Sequence, residues 1–217
     1  MHIKFWKDRW SSRQIGFHLS EVNPYLVKYW PHLNLTNGAV VLVPMCGKTL
    51  DMTWFASQGS PVIGVECSED AIKEFFDEQE LSYQSSQLKG FVAHNSQNIT
   101  LLEGDFFTLD KQILNDVEAV YDRASLVALP EEMRIRYVQH LVEQLPSKVS
   151  ILLVTIEYDQ ALMSGPPFSV SHTEVEQLYK PHFSVELLYE EDVLENQPRF
   201  KQKGLNNMIE RVYKISR

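Results

Sequence analysis

Short apolar runs alternate along the chain with stretches of helical period, the pattern of a mostly parallel β-sheet covered by helices on both faces. Residues 39–45 predict a first strand and residues 50–58 a helix that stops at Gly59. The second strand, residues 61–66, is apolar until its last residue, Glu66, as expected of a strand buried on both faces. Ser68 can cap the next helix, with Glu69 and Asp70 in a first turn where the helix dipole favours negative charge. The stripe Ala71, Ile72, Phe75 and Phe76 carries that helix to about Glu80. Residues 99–103 and 118–121 predict strands three and four, and residues 149–156 a fifth, fully buried one.

Between strands four and five, Pro130 starts a helix that places Met133, Tyr137, Val138, Leu141 and Leu145 on one face. Ser171 and Glu174 form an S-x-x-E capping box for a helix running towards Tyr179, with Pro181 just past its end. Two more strands, 185–189 and 208–215, are separated by a stretch too irregular for a crossover helix, so they should pair antiparallel at the sheet edge. The expected architecture is therefore a Rossmann-like seven-stranded sheet, mostly parallel, with an antiparallel C-terminal edge pair and helices on both faces. Residues 1–33 precede the first strand and are rich in aromatics. They predict an N-terminal cover over the carboxyl ends of the strands, placing Trp6, Trp10 and Phe17 near a site.

The 217 residues suffice for one sizeable core, and a single domain over 1–217 is expected. A formal net charge of -9 with no offsetting Lys/Arg cluster repels phosphate backbones, so nucleic acid is not expected as a partner. The two cysteines, Cys46 and Cys67, stand too far apart for a metal-type pair, which predicts reduced thiols, no metal and a cytoplasmic setting. The charged N-terminal segment does not read as a signal peptide, and no window approaches the ~18 apolar residues of a membrane span, so no membrane association is expected.

Ligands of open α/β sheets bind beyond the carboxyl ends of the strands, so the residues just after each strand are the candidates for chemistry. Glu66 lies twenty-one residues after Met45, the separation at which a carboxylate closing the second strand reaches a ribose held against the first βα turn. That turn holds a single glycine, Gly47, where a dinucleotide site wants G-x-G-x-x-G against a pyrophosphate; this argues against NAD and FAD. Gly47-Lys48-Thr49 imitates the end of a P-loop, but the earlier glycine of that motif is replaced by Leu42, and Lys48 reads as a solvated helix-start lysine. Asp105 and Phe106, after strand three, could hold an adenine, though Phe106 suits the core equally well. After strand four come Asp122 and Arg123, the latter either paired with a neighbouring acid or aimed at a ligand. Gly165-Pro166-Pro167-Phe168 imitates the Pro-Pro-aromatic signature of amino methyltransferases but lacks the polar residue before the prolines and falls after the wrong strand. His18, His94 and His172 have no partner at metal spacing and no serine in a nucleophile motif.

In combination, Trp6-x-x-x-Trp10, Gly16-Phe17-His18, Pro44-Met45-Cys46-Gly47-Lys48, Gly64-Val65-Glu66, Asp122-Arg123-Ala124 and Gly165-Pro166-Pro167-Phe168 resemble the thiopurine S-methyltransferase family, most of all its compact bacterial members. The resemblance runs from Trp6 to the final strand and includes Phe75-Phe76. It implies a class I methyltransferase fold, S-adenosylmethionine as donor with S-adenosylhomocysteine as product, no metal, and small aromatic or heterocyclic thiols as acceptors. It further implies that Trp10 covers the cofactor, that the backbone at Met45 meets its methionine part, Glu66 its ribose, and Asp105 and Phe106 its adenine. Arg123 would stand between cofactor and acceptor and act on the latter electrostatically, while Phe17 and Arg199, in Arg199-x-Lys201-x-x-Gly204, line the acceptor pocket. Met45 stands where the family more usually has Leu. A monomer is expected, and Asp122 is a candidate base only through a water. The alternatives are a methyltransferase acting on oxygen, nitrogen, selenium or tellurium, and a cofactor-binding protein without catalysis.

Overall fold

In the computed structural model, which describes residues 3–217, the strands in chain order are β1 (Val40–Val43), β2 (Val62–Glu66), β3 (Gln84–Leu88), β4 (Phe91–Ser96), β5 (Ile99–Glu103), β6 (Val117–Arg123), β7 (Ser150–Glu157), β8 (Ser184–Asp192) and β9 (Ile209–Ser216). They form one sheet in the order β3-β4-β5-β2-β1-β6-β7-β9-β8. The five strands read as apolar runs, β1, β2, β5, β6 and β7, make the parallel centre. β9 enters antiparallel to β7 and β8 pairs antiparallel with β9, as the missing crossover helix required.

The sheet has nine strands rather than the seven expected, because residues 84–96 form an extra antiparallel hairpin against β5. The outer strand, Gln84–Leu88, is exposed along its whole length and shows no apolar alternation. What holds it is the ladder to β4 and a two-residue turn at Lys89 (φ 48°) and Gly90 (φ 89°), both in the left-handed region that hairpin turns demand.

The helices are α1 (Ile3–Ser11), α2 (Pro24–Tyr29), α3 (Asp51–Ser57), α4 (Glu69–Glu78), α5 (Glu131–Gln144), α6 (His172–Tyr179) and α7 (Pro198–Lys201). Two apolar layers sandwich the sheet. On one face Leu26, Met52, Phe55, Ile72, Phe75 and Phe76 of α2, α3 and α4 pack against Tyr121, Leu152, Val154 and Val212. On the other, Tyr137, Val138, Leu141, Val175 and Tyr179 of α5 and α6 pack against Val120, Ile151, Leu153 and Tyr213. Successive residues of β6, β7 and β9 thus go to opposite layers, the period of a strand.

The helix caps agree with the sequence in part. Ser68 Oγ accepts from Ala71 N at 3.4 Å, and Ser171 Oγ from Glu174 N at 3.1 Å. The return half of the expected capping box is not made: the Glu174 carboxylate instead takes Arg134 Nε at 2.6 Å and Nη2 at 3.0 Å, pinning α6 to α5. Two charge-assisted bonds from a planar guanidinium outcompete one backbone N–H.

Strand period also separates two adjacent residues with very different fates. Asp122, fully buried, turns towards α5 and accepts from the Tyr137 hydroxyl at 2.7 Å and from Ser125 N and Leu126 N at 3.2 and 3.1 Å. Arg123 turns to the other face. Asp122→Ala should therefore strand three buried donors, at ~1–3 kcal/mol each, and lower the melting temperature by on the order of 10 °C in calorimetry; an unchanged melting temperature would contradict this structural role.

Candidate active site

The carboxyl ends of the central strands open into a cavity of about 1380 Å³. That exceeds the ~300–1,000 Å³ typical of one drug-sized ligand, leaving room for two small molecules side by side. Trp10, Phe17, Met45, Glu66, Asp105, Phe106, Arg123 and Arg199, the residues singled out from the sequence, all border it.

The first turn after β1 bends sharply, with Met45 at φ 45° and Gly47 at φ 53°. Only glycine fits at 47, since a Cβ there would come within 2.9 Å of Cζ2 of Trp10. The Trp10 indole lies on this glycine, almost wholly buried, and meets Phe17 edge-on at 5.6 Å. Trp6 meets the same Phe17 at 5.8 Å, so α1 and the loop behind it form an aromatic wall over the strand ends. Residues 1 and 2 of the expected cover lie outside the described residues.

Glu66 is buried at the end of β2. Its Oε2 accepts from Gly47 N at 2.9 Å and its Oε1 from Ser68 N at 2.7 Å, so one carboxylate ties the two βα turns together at the cavity wall. Burial pushes its pKa up, and the backbone donors oppose the shift without cancelling it. Cys46 and Cys67, both free thiols, flank it; burial first and the Glu66 charge second push both thiol pKa values up. Thiols so protonated are poor nucleophiles. A Cys46→Ser/Cys67→Ser variant should turn over near normally per folded molecule, and lost turnover with cofactor binding intact would show that a thiol takes part.

Lys48 is not the solvated residue expected from its place beside a helix start. It is 5% exposed, and its Nζ donates to Glu74 at 2.8 Å and Glu78 at 2.5 Å, while Arg13 Nη1 pairs with Glu74 at 2.9 Å. Local sequence holds no hint of this because both acids come from α4, twenty-six and thirty residues away. A lysine committed to two carboxylates makes no P-loop.

Asp105 uses Oδ1 to accept from Phe107 N at 3.0 Å, capping the short turn Phe106–Thr108. The Phe106 ring is buried against Tyr137 and His140, with centroids at 5.1 and 5.3 Å, and still borders the cavity. Its packing and its cavity position are thus compatible. Arg123 does not pair with Asp122; Nη1 donates to the carbonyl of Phe17 at 3.3 Å. Arg199 Nη1 donates to the carbonyl of Gly16 at 3.2 Å, with its guanidinium so close that a Cβ at 16 would be 2.5 Å away. The two arginines therefore hold the 16–17 segment from two sides. Gly165, Pro166 and Pro167 border the cavity, whereas the Phe168 ring packs back onto Gly165.

Tyr25 and Glu210 also border the cavity without belonging to a sequence motif, as does His18 of Gly16-Phe17-His18, to which no role is assigned. Because β9 runs antiparallel, its beginning lies at the carboxyl edge of the parallel strands, with Glu210 opposite Ile156 of β7. Burial raises the Glu210 pKa, while the Tyr25 hydroxyl and Arg123 pull the other way. His18 is pushed down by burial and by Lys48. A glutamate in a strand that is otherwise half apolar was the only available signal for Glu210.

A parallel sheet with a reversed last strand inserted at its edge, a carboxylate closing β2 and a two-ligand cavity above the strand ends define an S-adenosylmethionine-dependent methyltransferase. In fold the chain is similar to a 1,6-didemethyltoxoflavin N1-methyltransferase from Burkholderia thailandensis, solved with S-adenosylhomocysteine, at a TM-score of 0.65 and 15% identity over 98% of this chain and 86% of that one. An S-adenosylmethionine-dependent methyltransferase from Anabaena variabilis gives 0.64 and 15%, over 99% and 94%. The model of the thiopurine S-methyltransferase family matches residues 1–217. Thiopurine S-methyltransferases of Pseudomonas putida and Pseudomonas aeruginosa are 46% and 48% identical over the full length of both chains. The chain belongs to the thiopurine S-methyltransferase family.

The residues present fit the cofactor of that class. The first turn offers a close backbone approach at Gly47 and no phosphate cradle, Glu66 offers a buried acceptor for hydroxyls, and the Trp10–Phe17 wall offers aromatic faces to a sulfonium. Among the described residues no cluster of His, Cys, Asp or Glu is arranged to hold a metal, and no helix is long and apolar enough to cross a membrane.

Proposed function

We propose that this chain transfers the methyl group of S-adenosylmethionine to the sulfur of small aromatic and heterocyclic thiols such as thiopurines, leaving S-adenosylhomocysteine. The observation that carries the reading is that the family's motif positions converge on one cavity large enough for donor and acceptor together. In this reading Glu66 accepts from the ribose hydroxyls, the Met45 backbone meets the methionine part, and Asp105 and Phe106 border the adenine. Trp10 covers the donor, and Phe17 and Arg199 line the acceptor side. Residues 1–33 act as the cover, and the chain works as a single-domain monomer in the cytoplasm, without metal, nucleic acid or membrane.

S-adenosylmethionine supplies a methyl group already activated on a sulfonium, so no enzyme nucleophile is needed. What the protein contributes is proximity and orientation, holding the acceptor sulfur in line with the methyl group at near-attack distance. Arg123 favours the thiolate form of the acceptor and keeps it oriented. Its bond to the Phe17 carbonyl couples that guanidinium to the aromatic wall.

Incubating the purified protein with methyl-labelled S-adenosylmethionine and matched thiols, phenols and amines, together with selenite, tests the assignment. Label should pass to the thiols foremost. Preferential labelling of another class, or cofactor binding with no transfer at all, would replace the reading with another methyltransferase or a non-catalytic binder.

A further inference from the structure

Glu210 sits where the sequence offers no motif and where the proposed chemistry assigns no role. On the sheet face covered by α2, Arg123 of β6 is opposite Val154 of β7, and Val154 is opposite Val212 of β9. Glu210, two residues before Val212, shares that face. Arg123 and Glu210 thus flank the same stretch of β7 at the carboxyl edge of the sheet, and both border the cavity. From α2 Tyr25, another cavity residue, lies close enough to Glu210 for each to shift the other's titration.

The cavity's other acids are occupied differently. Glu66 is bound to the backbone of two turns, and Asp105 caps the turn after β5. Glu191 lies on the exposed edge strand β8, where the Tyr189 hydroxyl donates to it. Asp122, beside Arg123 in the chain, faces the opposite layer and does not border the cavity. Glu191, directly opposite Glu210 across the β8–β9 ladder, shares that face and also borders the cavity, but it stands one strand further from Arg123, so Glu210 is the nearer acid to Arg123 on that wall.

We propose that Glu210 is a catalytic residue of the methyl transfer, the acceptor of the proton that a neutral thiol, or the N–H of its thione tautomer, must lose. The inference rests on the proposed S-methyl transfer. A sulfur lone pair forms the new bond to the methyl carbon, and the methyl–sulfonium bond breaks with its electron pair retained by S-adenosylhomocysteine. The proton passes to a carboxylate oxygen of Glu210. The positive charge of the donor and the negative charge of Glu210 are both consumed, leaving neutral thioether products and a neutral carboxylic acid. Arg123 then serves acceptors that arrive ionised, and Glu210 those that do not.

The surroundings suit a base for such acceptors. Burial raises the Glu210 pKa towards that of an aromatic thiol, which is what efficient proton transfer near neutrality asks of a carboxylate. The groups facing it are Tyr25 from α2, Arg123 from β6, and Tyr189 and Glu191 from β8. Tyr25 and Arg123 oppose the shift; Glu191 adds to it.

The test is Glu210→Gln assayed on aromatic thiols graded from weakly acidic to nitro-substituted ones already ionised at the assay pH. For the least acidic acceptors kcat/KM should fall about a hundredfold at neutral pH. The loss should shrink to within a few-fold for the ionised acceptors, with S-adenosylmethionine affinity and melting temperature preserved. Tyr25→Phe supplies a second readout: without its hydroxyl the Glu210 pKa rises, so the acid limb of kcat/KM should move to higher pH. An equal loss across all acceptors, no loss, or a selective loss on His18→Gln with none on Glu210→Gln would overturn the proposal. If Glu210→Gln fails to fold, an unmoved acid limb in Tyr25→Phe overturns it. Wild-type protein inactive on every thiol would instead defeat the function on which it rests.

Discussion

Arg123→Lys should lower kcat/KM for an ionised aromatic thiol by on the order of a hundredfold, with folding and S-adenosylmethionine affinity largely kept. The reason lies in the shape of the guanidinium. One nitrogen is already spent on the Phe17 carbonyl at 3.3 Å, leaving the rest of a planar fork to face the cavity. A lysine ammonium, a single point of charge on a flexible stem, cannot hold both directions at once. Orienting, charge-stabilising contacts of this kind are typically worth ~2.7–4 kcal/mol, which sets the hundredfold scale. Steady-state kinetics beside calorimetric binding and a melting curve check the prediction. A variant that melts early yet keeps wild-type turnover per folded molecule would show that Arg123 is only a prop for residues 16–17.

Glu66→Ala should raise the dissociation constant for S-adenosylmethionine at least tenfold. Each charge-assisted bond to the ribose is worth ~1.5–3 kcal/mol, and the variant also releases the N–H groups of Gly47 and Ser68 that shape the site. The same residue gives the wild-type protein a pH dependence of known sign. Binding asks for the ionised carboxylate, and burial has raised its pKa, so affinity should weaken as pH falls through a range above that of an ordinary glutamate. The Glu66 contribution to the stability of the unliganded protein runs the other way. Between the unfolded and the raised folded pKa the native state holds the extra proton, so this contribution is full at low pH and is lost as pH rises through the folded value. Titration calorimetry between mildly acidic and neutral pH should show the affinity slope in wild type and its loss in Glu66→Ala; equal affinities at neutral pH would remove Glu66 from the ribose.

The parts of the fold that the sequence disclosed are those where one physical cause acts alone. β2 is apolar up to Glu66 and β7 is apolar over residues 151–154 because both faces are covered, and Ser68 and Ser171 cap helices with their own side chains. The cavity residues after β1, β2, β5 and β6 were legible for a related reason: an open parallel sheet exposes its strand ends at one edge, so position along the chain almost fixes position in space. Where a partner rather than the segment's own pattern decides the outcome, pattern reading failed. Gln84–Leu88 is a strand by virtue of its neighbour, Lys48 is buried by two acids of α4, and Glu174 turns from its own helix cap to Arg134. Glu210 stayed hidden for a subtler reason, since only the reversal of β9 brings the start of the last strand to the edge where the others end.

Methyl transfer to sulfur is tested sharply by a thiopurine, because it offers ring nitrogens as rival acceptors in the same molecule. Incubating the protein with carbon-labelled methyl S-adenosylmethionine and a thiopurine, then locating the label in the product by NMR, gives the answer directly. Label should appear on sulfur, with one S-adenosylhomocysteine formed per methyl transferred. Label on a ring nitrogen, or bound S-adenosylmethionine with no labelled product, would show that the chain is not an S-methyltransferase.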